Sequence, residues 1–382
     1  MPRDLIDVAL VLSSFDPGGT ERQMTELIRR LDRDRFRVHV VCFRREGAWL
    51  ARVEEAAAEV VEFPLRSFKS PSTIGLLVRF AAWLRARHIV VLHACDLYAN
   101  VFALTGAALA RVPVRIGSRR ELTPPDKTRA RLIAQRLAYR SAHRVVANSV
   151  AAAARLRAEG VAPTRISVIP NGIELSQFGG RGALRRQRLI TTVANLRVEK
   201  GHDVLLRAAA AVRRRAPHVR FQIVGDGALR TTLVDLARSL RVDDIVAFLG
   251  HRDDVPALLS DSALFAFPSR TEAFPNGVIE AMAAGVPVVA SATGGILELI
   301  ESDRNGVLVP PGNVEALADA IVRLLDDPAH AERLGAAARE TVRQRYSFER
   351  MVDGFERLYE SELEQCGVRS LEPRARSLTE VQ

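Results

Sequence analysis

The chain has 382 residues, a hydrophobic fraction of 48% and a mean hydropathy of +0.02, which suits a soluble globular protein with two cores rather than one. No apolar run approaches the ~20 residues of a membrane-spanning helix, and Cys42, Cys95 and Cys366 are odd in number and far apart, which argues against a disulfide framework or a zinc site and for a reducing compartment. The net charge of +10 sits in one half: residues 1–180 hold 28 Lys and Arg against 17 Asp and Glu, whereas residues 181–382 hold 27 against 28.

The predicted elements alternate from the start. Ile6–Ser13 reads as a buried first strand carrying Asp7, not as a secretory signal. The loop Phe15-Asp16-Pro17-Gly18-Gly19 leads into a helix over Thr20–Leu31, with Thr20 as the expected N-cap. Phe36–Phe43, Ile89–His93, Val114–Ser118 and Val145–Asn148 follow as strands, with helical stretches between them. This βαβα order predicts a mostly parallel sheet with helices on both faces. Gly179-Gly180-Arg181-Gly182 reads as a linker, and the pattern then restarts. Leu189–Ala194, Val219–Val224, Ile245–Leu249, Leu264–Phe267, Val286–Ala290 and Gly306–Val309 are the second set of strands, and Phe348–Glu364 is a long amphipathic helix. The expected division is residues 1–178, residues 179–347, a terminal helix over 348–366 and a disordered polar tail over 367–382. Ligands of such folds bind beyond the carboxyl ends of the strands, in the cleft between the halves.

Several loops at those strand ends carry chemistry. Gly18-Gly19 opens a helix and lets the backbone approach a phosphate. Lys200 is one of only three lysines, with Lys69 and Lys127, in a chain whose other basic residues are arginine, so its place just after a strand suggests a need for a compact ammonium. Gly225-Asp226-Gly227 allows a tight turn but lacks the third glycine of a dinucleotide fingerprint. Glu272 and Glu280 bracket the helix start Pro275-Asn276-Gly277, where free backbone N–H groups form an anion site. Carboxylates on either side of an anion site suit a ligand with hydroxyls around a phosphate, such as a nucleotide sugar. No Walker-type loop or zinc-ligand spacing is present.

The run from Glu272 through Phe274-Pro275-Asn276-Gly277 to Glu280-Ala281-Met282-Ala283-Ala284-Gly285-Val286-Pro287-Val288-Val289-Ala290 resembles the signature of retaining family 4 glycosyltransferases, and Gly18-Gly19-Thr20-Glu21-Arg22-Gln23 is similar to that family's first loop. The resemblance covers most of the chain and is strongest over residues 189–325. It implies an α/β protein of the GT-B fold, two Rossmann-like doubly wound domains facing across a cleft. The second would bind a UDP- or GDP-linked sugar and the first a glycan or lipid-linked acceptor, in cell-surface polysaccharide or glycolipid synthesis, and the last helix would cross back to the first domain. Lys200 and Glu272 are the implied catalytic residues. Gly18, Gly19, Asn195, Arg197, Lys200, Gly225, Asn276, Gly277 and Glu280 are the implied donor-binding set, with Glu280 on the ribose hydroxyls. No cofactor or obligatory metal is implied.

Two departures from the family pattern stand out. Asn195 replaces an arginine common five residues before the lysine, leaving Arg197 as a nearby cation, and Arg119-Arg120 replaces a common histidine. Arg119 and Arg120 become candidates for an anionic acceptor or the donor diphosphate, with His93 a third acceptor-side candidate. The basic first half suggests an anionic membrane surface, through Lys69–His88 and Lys127–Arg144 with apolar residues such as Phe80, Trp83 and Leu84, although core packing suits Trp83 better. The expected location is cytoplasmic or peripheral on the inner membrane face. No aromatic-interleaved basic motif supports nucleic acid. The rival readings are a sugar-nucleotide epimerase-like enzyme and a non-catalytic nucleotide-sugar-binding protein of the same fold.

Overall fold

The computed structural model describes residues 5–122, 129–179 and 188–368. The first half runs β1 (Ile6–Leu12), α1 (Gly19–Arg30), β2 (Phe36–Cys42), α2 (Leu50–Ala56), β3 (Glu59–Glu62), α3 (Ser72–Ala86), β4 (Val91–Ala94), α4 (Leu97–Ala110), β5 (Val114–Arg119), α5 (Arg129–Ser141), β6 (Arg144–Ala147), α6 (Val150–Ala158) and β7 (Ile166–Val168). The second half runs β8 (Leu189–Val193), α7 (His202–Arg215), β9 (Arg220–Val224), α8 (Arg230–Ser239), β10 (Val246–Gly250), α9 (Val255–Ser260), β11 (Leu264–Phe267), α10 (Asn276–Ala283), β12 (Val288–Ser291), α11 (Ile296–Leu299), β13 (Val307–Val309), α12 (Val314–Asp326), α13 (Pro328–Arg345) and α14 (Phe348–Gln365).

The strands form two all-parallel sheets, ordered β3-β2-β1-β4-β5-β6-β7 and β10-β9-β8-β11-β12-β13. Both faces of each sheet are covered, so the strands are near-continuous apolar runs, as in Ile6-Asp7-Val8-Ala9-Leu10-Val11-Leu12. The strand order reverses between β1 and β4 in one sheet and between β8 and β11 in the other. Each reversal opens a crevice at the carboxyl ends of the strands.

Sequence and structure differ at the sheet edges and at one cap. β3 and β7 were not expected; they are edge strands of four and three residues, too short to show a period. α1 begins one residue earlier than predicted, with Gly18 rather than Thr20 at the N-cap and no side-chain cap bond. The linker residues Gly180, Arg181 and Gly182, Lys127 and most of the polar tail lie outside the described residues.

α14 packs on the first sheet. Phe348, Met351, Val352, Phe355, Leu358, Tyr359 and Leu363 share one core cluster with β1, β2, β4 and β5. Arg35 donates to Glu356 at 3.0 Å, and Arg144 donates to Glu362, from the first half to this last helix. Phe80 and Leu84 are core residues, and Trp83 stacks on Phe80 and meets Phe63 edge-on. The apolar residues that α3 leaves in solvent are instead Ile74 and Val78, 70% and 56% exposed. Among the described residues no helix is long and apolar enough to cross a membrane.

Candidate active site

The two strand-order reversals bring their loops together in one cleft. From the second half, the loop after β8 brings Lys200, and the loop after β11 brings Glu272 and the start of α10. Lys200 Nζ donates to Glu272 Oε1 at 2.5 Å, and Ser269 Oγ donates to the same oxygen at 2.8 Å. The carboxylate is buried, and the ammonium also lies 5.7 Å from the centre of the Phe267 ring. The Glu272 loop is held by close backbone contact with the β12–α11 turn. Gly295 N–H donates to Glu272 O at 2.9 Å, and a Cβ on Gly294 or Gly295 would stand 1.9 or 1.8 Å from the carbonyl oxygens of Glu272 and Ala273.

Pro275 is the N-cap of α10, and no side chain caps this helix start. The N–H groups of Asn276 and Gly277 precede the first intrahelical donors, Val278 and Ile279, which reach Pro275 O. Gly277 lies against β8, where a Cβ would come 2.5 Å from Val193 O. Glu280, one turn in, is buried, and its Oε1 accepts a short bond from Arg22 of α1 in the other half.

The first half meets this helix start directly. A Cβ on Gly19 would lie 2.8 Å from Asn276 Nδ2. Asn171 Nδ2 donates to Asn276 Oδ1 at 2.7 Å, and Arg120 donates to Asn171 Oδ1 at 2.5 Å. The Glu21 carboxylate folds back over Gly18, where a Cβ would stand 2.0 Å from Oε2. Burial raises the pKa of that carboxyl above its ordinary 4.5. Glu121, next to Arg120, is pushed up to about 7, chiefly by burial, against the opposing pull of Arg119.

Two acceptor-side expectations are corrected. His93 is fully buried, with Nδ1 2.8 Å from the Tyr359 hydroxyl and Nε2 2.7 Å from Ser118 Oγ. Burial lowers its pKa to about 3, so the ring is a neutral core group. Arg119 is also enclosed: Nη1 donates to Gln135 at 2.8 Å, Nη2 to Glu159 at 3.0 Å and Nε to Glu121 O at 2.8 Å. Both side chains turn into the first half and away from the cleft. Of the donor-side residues, Asn195 and Arg197 are exposed on the loop after β8, Arg197 only 4.0 Å from Glu199, while Gly225 turns beside Ala194 with φ +132°. Arg22, Asn171 and the Gly294-Gly295 pair were not anticipated. The glycine pair after a strand was a readable signal; the pairing of Arg22 with a residue 258 positions away was not.

Two doubly wound parallel sheets whose strand-order reversals share a cleft define the GT-B class. The chain belongs to glycosyltransferase family 4: residues 17–177 match the family model "Glycosyltransferase Family 4", and residues 179–341 match "Glycosyl transferases group 1". The chain is similar to the D-inositol 3-phosphate glycosyltransferase of Salinispora tropica, 30% identical over 385 residues, covering 88% of this chain and 80% of the relative. It is 35% identical over 271 residues to that of Salinispora arenicola, spanning 64% of this chain and 60% of the relative's length. The Anabaena protein HepE, solved in complex with UDP and glucose, superposes with a TM-score of 0.82 at 25% identity, over 93% of this chain and all of HepE.

Proposed function

We propose that this chain transfers a sugar from a UDP- or GDP-linked donor to a glycan or lipid-linked acceptor with retention of anomeric configuration. The observation that carries the reading is the convergence of Lys200, Glu272, Glu280 and the uncapped start of α10 at one strand-order reversal, opposite Gly18-Gly19. The likeness to HepE, solved with UDP and glucose, supports the uridine option. The curated relatives named above are both transferases, so an epimerase-like or non-catalytic role is not favoured.

In this reading the diphosphate lies at the start of α10, with its charge met by the N–H groups of Asn276 and Gly277. Lys200 exchanges its bond to Glu272 for a phosphate oxygen and stabilises the charge that grows on the leaving nucleotide. Glu280 accepts from the ribose hydroxyls, and Glu272, released from Lys200, faces the sugar. The acceptor oxygen attacks C1 on the face the diphosphate leaves, loses its proton to the departing phosphate oxygen, and the configuration is kept. No metal or other cofactor is part of this proposal, nor is nucleic acid.

The acceptor side is the first half. A cavity of about 400 Å³, lined by Phe68, Lys69, Ile74, Leu77, Val101 and Phe102 among others, lies along α3 and α4 beside the loop that follows β3. An apolar wall with a lysine at its edge suits the hydrocarbon part of an anionic amphiphile, and the exposed Ile74 and Val78 suit peripheral contact with an anionic membrane at the cytoplasmic face. Incubation with UDP- and GDP-sugars and a panel of acceptors, with NMR of the product anomer, tests the transfer. An inverted product removes the retaining mechanism, and release of free sugar alone removes the transferase reading. Sedimentation with vesicles of phosphatidylglycerol tests the surface; equal binding by wild type and Ile74→Asp would remove that part.

A further inference from the structure

The resembling family often places an arginine five residues before the lysine, and here that position is Asn195, neutral and exposed. Arg197 is exposed as well and leans towards Glu199 on its own loop.

Arg120 has the properties the site lacks. It is the first residue after β5, and its guanidinium reaches Asn171, whose amide in turn holds Asn276 at the start of α10. The start of α1 closes the other side, so close that a methyl on Gly19 would press on the Asn276 amide. No carboxylate lies within 4 Å of Arg120 among the described residues, and its one side-chain partner there is a neutral amide. Burial lowers the guanidinium pKa to about 10, partly offset by the Glu21 charge. A half-buried cation whose described hydrogen-bond partner is a neutral amide, and whose Glu21 counter-charge lies beyond ion-pair distance, is incompletely compensated. Two helix starts facing the same space add to the positive potential. A bound polyanion relieves both.

We infer that Arg120, reaching from the first half, makes the second cationic contact to the donor diphosphate that Asn195 cannot make. This rests on the cleft being the donor site. It makes phosphate binding a joint act of both halves: Lys200 and α10 from one, Arg120 and α1 from the other.

The test compares UDP with UMP, and GDP with GMP, by titration calorimetry on full-length protein. A charge-assisted contact to phosphate predicts that Arg120→Gln weakens whichever diphosphate binds by about tenfold or more, with the monophosphate changed by less than about threefold. Asn171→Asp is the second variant. Its carboxylate would neutralise Arg120 internally, so the same selective loss is expected, although the bond that the Asn171 amide donates to Asn276 is lost as well. The inference is overturned by a folded Arg120→Gln or Asn171→Asp that keeps the diphosphate preference. Wild-type protein that binds none of the four nucleotides would overturn the donor-site reading itself, and this inference with it.

Discussion

Lys200 and Glu272 hold one another in the cleft, Nζ to Oε1 at 2.5 Å, on a carboxylate that is 6% exposed. The charge proposed to stabilise the leaving group is therefore balanced by Glu272, and a phosphate has to compete with that carboxylate for it. Lys200→Ala should lower kcat by about 10²–10³, the usual cost of one transition-state donor. It should also lower Tm, because Glu272 loses its counter-charge. Adding Glu272→Gln to Lys200→Ala should recover Tm but not kcat. Recovery of turnover in the double variant would show that Lys200 only balances Glu272.

Two glycines separate packing from binding. Gly277→Ala drives a methyl against the backbone oxygen of Val193 and should cost about 1–3 kcal/mol of stability, read by urea unfolding. Gly19→Ala meets only the end of the Asn276 side chain. That variant should melt near wild type yet bind the nucleoside diphosphate more weakly. Equal affinity in Gly19→Ala would mean that the diphosphate does not approach α1.

Arg22 and Glu280 form a bond between the halves across the cleft. If Glu280 takes the ribose hydroxyls, Glu280→Ala should abolish the thermal shift given by a donor, whereas Arg22→Gln should retain most of it. A donor shift that survives Glu280→Ala assigns the ribose elsewhere.

His93 gives a pH signature. Its folded pKa of about 3 lies below the ordinary 6.5, so its neutral form contributes stability that is present above about pH 6.5 and is lost as pH falls through about 3. His93→Gln should be less stable than wild type at pH 7 by about 1–3 kcal/mol, through the Ser118 and Tyr359 bonds. The gap should narrow steadily towards pH 4 in chemical denaturation. A gap independent of pH would mean that the ring titrates normally.

Transfer is expected to persist in excess EDTA, since Lys200, Arg120 and the start of α10 are proposed to meet the diphosphate charge. Loss of product on chelation, restored by magnesium, would place a metal in the mechanism.

Much of the fold was legible because parallel strands covered on both faces read as unbroken apolar runs. Leu264–Phe267 and Phe36–Cys42 were placed within a residue on that basis. Glu59–Glu62 escaped because a four-residue edge strand with acids at both ends has no such run. The Glu272–Glu280 loop was legible for a different reason: its residues are contiguous, so their spacing survives in one dimension. The Arg22–Glu280 and Asn171–Asn276 bonds are not, because they exist only once two separate sheets have met. His93 and Arg119 misled because a polar residue at the end of a strand looks the same whether it turns to the cleft or to the core. Burial and the partners Tyr359 and Glu159 decide that.

The seven apolar side chains that α14 lays into the first core have a bearing on how such chains can be cut and recombined. A fragment ending at Phe178 would carry a full seven-stranded sheet but would leave that groove open, and should aggregate or fail to express. A chimaera meant to give this first half a new second half must exchange residues between the linker and Ser347 while retaining Phe348–Gln365. The natural unit of shuffling is thus an insert flanked on both sides by parts of the first half, not a swap of one chain end for another.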